Sequence, residues 1–396
     1  MKILLVVPFL PFEGAGHAGS KYAYYLLRTL AASHHVHLIT RSFPGEEVHI
    51  QHLRSLVAGL EIVEGPGAYS KSSPAMLARV IASHWRLARL AQKVLEREPF
   101  DICQVEYTES GVFWRAPRSI PAVMTLIDVM AKPARRRYLA AQGLGRVSAW
   151  VKWQITRSIE AFATSKFQRL FALSDEDCRW ANDLYPKAQV LVLKYPAGIE
   201  FVGFERRESH LTVLFVGALN RPPNLEAIEW FIDDCWPVIR REVPAAVFHI
   251  VGHGLPESHR IRWALDPAIK IVGAVESVEL HYKSAAVFVA PILTGGGIIV
   301  KILDGLASGV PVVTTSRGNE GIGAEDGKSV LIADTPDVFA SSVIRLLRNQ
   351  EFRDAVGLAG KQYVEQVFSP SGFALTLEQA YDELTQGRRL AFQSKT

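Results

Sequence analysis

Pro291-Ile292-Leu293-Thr294-Gly295-Gly296-Gly297-Ile298-Ile299-Val300-Lys301-Ile302-Leu303-Asp304-Gly305-Leu306-Ala307-Ser308-Gly309-Val310-Pro311-Val312-Val313 is the most informative stretch of this chain. An apolar run ends at Pro291, and the three glycines that follow let backbone approach a ligand without side-chain obstruction. A helix predicted to begin near Ile298 turns its free N–H groups and positive dipole end toward that loop, an arrangement suited to a diphosphate. Thr294, Gly295, Gly296, Gly297, Ile298 and Ile299 are therefore candidate contacts to it. Lys301 falls in the first helical turn, where a cation opposes the dipole and needs a compensating partner. A charge-assisted bond to the same phosphates supplies one. Asp304 shares that helix face and is placed to accept bonds from ribose hydroxyls. The alternative is a plain glycine-rich βα turn with Lys301 and Asp304 solvated.

Outward from this stretch a strand–helix rhythm repeats. Leu211–Val216, Ala246–Val251, Ile269–Val272, Ala286–Ala290, Val310–Thr314 and Val330–Ile332 read as strands, and Asn224–Arg241 and Val300–Ala307 as helices. Helices at Pro336–Leu347 and Glu351–Phe368 cover this half. The first half opens on Ile3–Val7, unbroken apolar as in a strand buried on both faces of a parallel sheet. A loop with Gly14, Gly16 and Gly19 follows, then a helix carrying Tyr22, Leu26, Leu27 and Leu30. The strand Val36–Thr40 completes a right-handed βαβ unit. Further strands are expected at Ile102–Val105, Ala122–Ile127, Leu170–Leu173 and Val190–Leu193. A long helical stretch carries Val147, Trp150, Val151, Ile155, Ile159 and Phe162 on one side. The abruptly charged Phe204–His210 reads as a linker. The expected fold is α/β, with two Rossmann-like doubly wound domains, 1–203 and 204–370, facing across a cleft. A closing segment, 371–396, is expected to cross back to the first domain and end in a frayed tail.

With 48% hydrophobic and 21% charged residues, the 396-residue chain can fill two sizeable cores. A net charge of +4 is too mild for a nucleic-acid face and fits anionic small molecules or an acidic membrane surface. Cys103, Cys178 and Cys235 are scattered and read as free thiols, and no HExxH points to zinc. The apolar stretch from Ala285 to Val300 is broken by Pro291 and three glycines, so it is not a spanning helix. Met1-Lys2 runs straight into a strand that stops at Pro8, too short for a secretory leader, and a cytoplasmic protein is expected. Lys132, Arg135, Arg136, Arg137, Arg146, Lys152 and Arg157 gather on and before the amphipathic stretch. They suit docking to an anionic membrane or to a lipid-diphosphate acceptor, or else form a solvated helix face.

The Pro291–Val313 stretch resembles the donor-binding signature of retaining GT-B glycosyltransferases of the large glycogen-synthase-like and sucrose-synthase-like superfamily. Those proteins carry Glu, seven residues, Glu, a small-residue helix, Gly and Pro-Val-Val. Here the second acid is Asp304 and the first position holds Gly296, as in a bacterial branch with glycine and Lys before the surviving acid. The same branch is echoed in Leu214–Asn224, with Gly217 after the strand and Pro223-Asn224 before a helix, and in Ile250-Val251-Gly252. Relatives hold the diphosphate with an Arg and a Lys; the Arg position is Ala218 here, which leaves Arg221 and Lys301 as replacements. Thr314–Ile322 is similar to the segment after Pro-Val-Val and is expected at the carboxyl end of a strand. In the first half, Ile127-Asp128 stands where relatives have His-Asp, leaving Asp128 as the polar candidate, or as a helix cap. Ser174-Asp175-Glu176 and Tyr195–Ile199 match family turns more loosely.

The resemblance implies transfer of a sugar from a nucleoside-diphosphate donor to an acceptor hydroxyl, with retention at the anomeric carbon. The candidate catalytic groups are Lys301, Arg221 and Asp128. Helix amides with Lys301 and Arg221 would offset the leaving-group charge, so neither a metal nor a permanently bound cofactor is required. The acceptor would be a glycan, a lipid-linked molecule or a small molecule, read by loops around His17, Glu106 and Tyr107. Three other readings remain open. One is a nucleotide-sugar epimerase or phosphorylase of the same plan, and another is a non-catalytic binding protein derived from a transferase. The third is a dehydrogenase: the near-miss glycine loop allows one, the second strand ends without an acid, and Arg41 keeps NADP open.

Overall fold

Apolar runs too short for helices and bounded by turn residues form the strands of two all-parallel sheets in this computed structural model. The structure describes residues 1–13, 18–66, 73–115, 117, 119–198 and 211–393, with side chains through 386. Two compact units emerge: Met1–Tyr195 with Phe373–Thr396, and Pro196–Gly372. The expected linker, Phe204–His210, lies outside the described residues.

The first unit contains β1 (Lys2–Val6), β2 (His35–Ser42), β3 (Gly59–Glu64), β4 (Ile102–Glu106), β5 (Ala122–Leu126), β6 (Arg169–Ala172) and β7 (Val190–Val192). They lie in the order β3-β2-β1-β4-β5-β6-β7. The central strands β4 and β5 are buried at every position, as parallel strands covered on both faces must be. β3 is half-exposed and short of apolar residues, which is why its sequence carries no strong strand signal. The helix Pro74–Arg97, not among the expected elements, carries an apolar face (Leu87, Ala88, Ala91, Val94) and begins with the Ser73 side chain accepting from Met76 N and Pro at the first turn. From Phe373 onward the last helix, Pro370–Gln393, packs within this unit. Phe373 meets the Tyr22 ring edge-on, and Tyr381 Oη donates to Gln104 Oε1 at 2.9 Å.

The second unit contains β8 (Thr212–Val216), β9 (Val247–Val251), β10 (Ile269–Gly273), β11 (Val287–Ala290), β12 (Val312–Thr314) and β13 (Leu331–Ile332). Their order is β10-β9-β8-β11-β12-β13. The expected continuous helix from Asn224 is interrupted: Pro222–Trp230 passes through a π turn, Phe231–Cys235, into Trp236–Glu242. Pro237 has no N–H to give, so the ladder slips and Trp236 N reaches back to Phe231 O. Phe231, Trp236, Phe248 and Phe339 stack around this turn as the centre of the core.

Both sheets reverse their strand order at one place, between β1 and β4 and between β8 and β11. Ligands of open α/β sheets bind outside the carboxyl ends of strands at such switch points.

Two sequence expectations change here. Lys132, counted among the surface cations, is fully buried and bonded to Asp177. Arg41 is fully buried as well, with Nε donating to Pro8 O at 2.8 Å and a terminal nitrogen to Ser83 Oγ at 2.6 Å. No outer face of that guanidinium is left for a 2′-phosphate, which removes the basis for the NADP reading.

Candidate active site

At the switch point of the second unit, β8 ends in Gly217 and the following turn leads to the helix Pro222–Trp230. Asn224 Nδ2 donates to Ala218 O at 2.8 Å, which closes the turn, and its Oδ1 accepts from Lys301 Nζ at 2.7 Å. Lys301 reaches this point from the first turn of the helix Val300–Ala307, whose N-terminus has no side-chain cap. Its ammonium also lies 4.4 Å from the Phe215 ring centroid. At Gly217 a Cβ would stand 2.5 Å from Lys301 Nζ, so any side chain there would displace the ammonium from this position. Gly252 is required beside it: at φ +150 its Cβ would overlap Gly217 O at 1.8 Å. Three expected residues, Gly217, Asn224 and Lys301, are thus brought into contact, with Gly252 as the backing layer.

Lys301 is half-buried. Desolvation first, and then the positive charge of Arg221, lower its pKa to about 7, against a weaker upward pull from Asp304. Arg221 itself is exposed at the start of its helix, and Asp304 is half-buried one turn beyond Lys301. A lysine held near neutrality in an uncapped helix N-terminus is poised to take up a proton when an anion arrives.

The glycine loop supports the same geometry. Gly295 and Gly297 adopt φ +112 and φ +75, conformations that side chains disfavour. Gly321 packs against this loop so closely that a Cβ would lie 2.4 Å from Gly297 O. Thr294 Oγ1 donates to Glu226 Oε2 at 2.7 Å, tying the loop to the helix after β8. Gly296, Ile298 and Ile299 are half-buried in the same loop. Past the carboxyl end of β12, Leu293, Thr315, Ser316, Arg317, Glu320 and Asp334 line an open depression of about 420 Å³. Glu320 pairs with Arg317 at 3.0 Å. Glu226 carries no sequence signal, because only tertiary contact brings it to Thr294 of the glycine loop.

The first unit's switch point is chemically different. Glu106, expected on an acceptor-facing surface, is fully buried. Its Oε1 accepts from Gln104 Nε2 at 2.5 Å and from Thr125 Oγ1 at 3.0 Å, and burial raises its carboxyl to about 8. It is a neutral member of an internal network, which corrects that expectation. Tyr107, next in the chain, is half-buried at φ +71 and is the only non-glycine residue with positive φ among the described residues. Such strain concentrates at functional positions. Asp128 follows β5 at an exposed position. Partial desolvation of its carboxyl first, and then the negative charge of Asp177, raise its pKa against the pull of Lys132. It does not cap the next helix: buried Glu160 does, accepting from Met130 N at 2.9 Å and Ala131 N at 3.1 Å. Gly16 and His17 lie outside the described residues.

Two family models match the chain. "Glycosyl transferase 4-like domain" covers residues 18–196, and "Glycosyl transferases group 1" covers residues 210–349. An uncharacterized 44.6 kDa protein of the cps region of Klebsiella pneumoniae is 29% identical over 193 residues, 47% of this chain and 48% of that protein. A GDP-mannose-dependent alpha-(1-6)-phosphatidylinositol monomannoside mannosyltransferase of Mycobacterium tuberculosis is 31% identical over 143 residues, 32% of this chain and 37% of that enzyme. The chain thus spans about half the length, or less, of these curated relatives. Sucrose-phosphate synthase from Thermosynechococcus elongatus has a similar fold, with TM-score 0.69 and 17% identity over 98% of this chain and 99% of that one. No helix among the described residues is long and apolar enough to cross a membrane. With a glycosyltransferase model matched in each half and one two-sheet fold shared along the chain, the protein belongs to the GT-B glycosyltransferase superfamily.

Proposed function

We propose that the protein transfers a sugar from a nucleoside-diphosphate donor to an acceptor hydroxyl, with retention at the anomeric carbon. The observation that carries this reading is Lys301, held 2.7 Å from Asn224 over Gly217, at a helix N-terminus that no side chain caps. The diphosphate lies against that helix end and the glycine loop, where amides and the protonated Lys301 balance its charge. Arg221 adds a second cation from the facing turn, and Asp304 accepts from the ribose. As the bond to the sugar breaks, charge develops on the leaving diphosphate. The site stabilises it electrostatically, and the departing phosphate oxygen takes the acceptor proton. Asp128, whose carboxyl pKa is raised, is a further candidate polar group within the first unit. The acceptor is a glycan, a lipid-linked molecule or a small molecule. The mannosyltransferase relative supports a GDP-sugar donor, although the chain matches only 37% of it.

Thermal-shift screening against UDP, GDP, TDP, ADP, NAD and NADP tests the donor class. A ligand at a hundred times its dissociation constant adds about 2.7 kcal/mol of stability. Stabilisation by one nucleoside diphosphate is expected, and stabilisation by a dinucleotide alone overturns the reading. Binding without turnover of any nucleotide sugar would favour a transferase-derived binding protein, a reading kept in view by Ile127 and Gly296 at positions where relatives carry His and Glu.

A further inference from the structure

The helix Gly143–Thr164 turns its apolar side outward. Its inner face buries Glu160, Ala163 and Thr164, whereas Val147, Trp150, Val151, Ile155, Ile159 and Phe162 are exposed to solvent. Leu144 at its start is 91% exposed and Phe162 near its end 57%. At 1.5 Å per residue this stripe runs about 27 Å along the surface. An apolar band of that length without a cover marks an interaction site.

The borders of the stripe are cationic. At about 100° per residue, Arg146 and Arg157 fall along one edge and Lys152 along the other, all three exposed. Arg137 is exposed on the preceding helix, Ala131–Ala140. From residue 131 to 166 the only acid is Glu160, which is buried and committed to backbone amides. Isologous pairing with a second copy would set these cations against one another. An anionic, partly apolar surface satisfies both features: the acyl boundary takes the stripe and lipid phosphates take the rim. Its four charged residues keep the helix in the interface plane rather than across the bilayer.

We propose that the outer face of Gly143–Thr164 docks the protein on an anionic lipid bilayer, with Trp150, Ile155 and Phe162 inserted and Arg146, Lys152 and Arg157 on headgroup phosphates. The proposal is independent of the transferase reading, because it rests on a surface outside the candidate active site. Co-sedimentation of the full chain with phosphatidylcholine vesicles, with and without phosphatidylglycerol, tests it. Binding is expected only to the phosphatidylglycerol vesicles, and it should weaken as salt rises. Trp150→Ser/Ile155→Ser/Phe162→Ser should reduce bound protein by about tenfold or more while the melting temperature stays unchanged, since these side chains carry little core packing. Arg146→Glu/Lys152→Glu/Arg157→Glu should remove the preference for anionic vesicles. Wild-type protein that stays in the supernatant overturns the proposal. So does a triple-serine variant that binds like wild type, and so does a wild-type dimer that this variant converts to monomer.

Discussion

The two switch points share a strand order and differ in chemistry. Between β8 and β11 a lysine is desolvated beside glycines and a single asparagine, and its pKa falls to about 7. Between β1 and β4 a glutamate is desolvated among Gln104, Thr125, Tyr22 and Tyr381, and its pKa rises to about 8. Burial drives each group toward neutrality. The consequences diverge because the surroundings do. The lysine faces a loop stripped of side chains and an uncapped helix end, so an anion can restore its charge. The glutamate is fully buried among protein groups, with Gln104 and Thr125 bonded to it. Topology therefore marks both places as candidates, and only the side chains around them separate a candidate binding site from a core network.

The largest expected effect is on turnover. Lys301→Ala should lower it by about 10²–10³-fold, with thermal stability unchanged or raised because a desolvated ammonium is removed. Steady-state kinetics with the nucleotide sugar identified by the binding screen checks this, and unchanged turnover would break the assignment of the second switch point.

The next effect is on stability. Glu106 has a raised pKa in the folded state, so its favourable contribution is present below its unfolded pKa and is lost as pH rises toward about 8. Glu106→Gln keeps an acceptor for Gln104 and Thr125 and cannot ionise. It should flatten the melting temperature between about pH 4.5 and 8 and add about 1–3 kcal/mol at the alkaline end. A variant that retains the wild-type pH profile would place the titrating group elsewhere.

The smallest effect sharpens the contrast. The folded-state pKa of Lys301 is lowered, and a bound diphosphate raises it again, so binding above pH 7 should take up a fraction of a proton. Affinity should then fall with rising pH, by up to about tenfold per unit. Calorimetry in buffers of different ionisation heat reads the uptake directly, and Lys301→Ala should abolish it.

The residues make the second half the more legible. Gly295–Gly297, Lys301 and Asp304 sit within one strand–loop–helix, and a local motif survives reading in one dimension. The doubly wound character of both halves was similarly accessible, because alternating strand and helix signals imply parallel βαβ units. β3 and the helix Pro74–Arg97 escaped for different reasons. β3 buries only Val63 and reads as a loop edge, whereas the helix carries a legible apolar face, Leu87, Ala88, Ala91 and Val94, that was passed over.

What the sequence determined on its own is the pair of doubly wound sheets and the strand–glycine loop–helix that carries Lys301, features encoded by short-range spacing of apolar residues, glycines and one lysine. What only the tertiary structure decided is the state of individual side chains. Arg41, Glu106 and Lys132 read as surface charges and are buried, while the apolar stripe of Gly143–Thr164 faces water. The physical reason is that burial and pKa depend on which elements pack together, and periodicity tells which side of a helix is apolar without telling which side the rest of the protein covers.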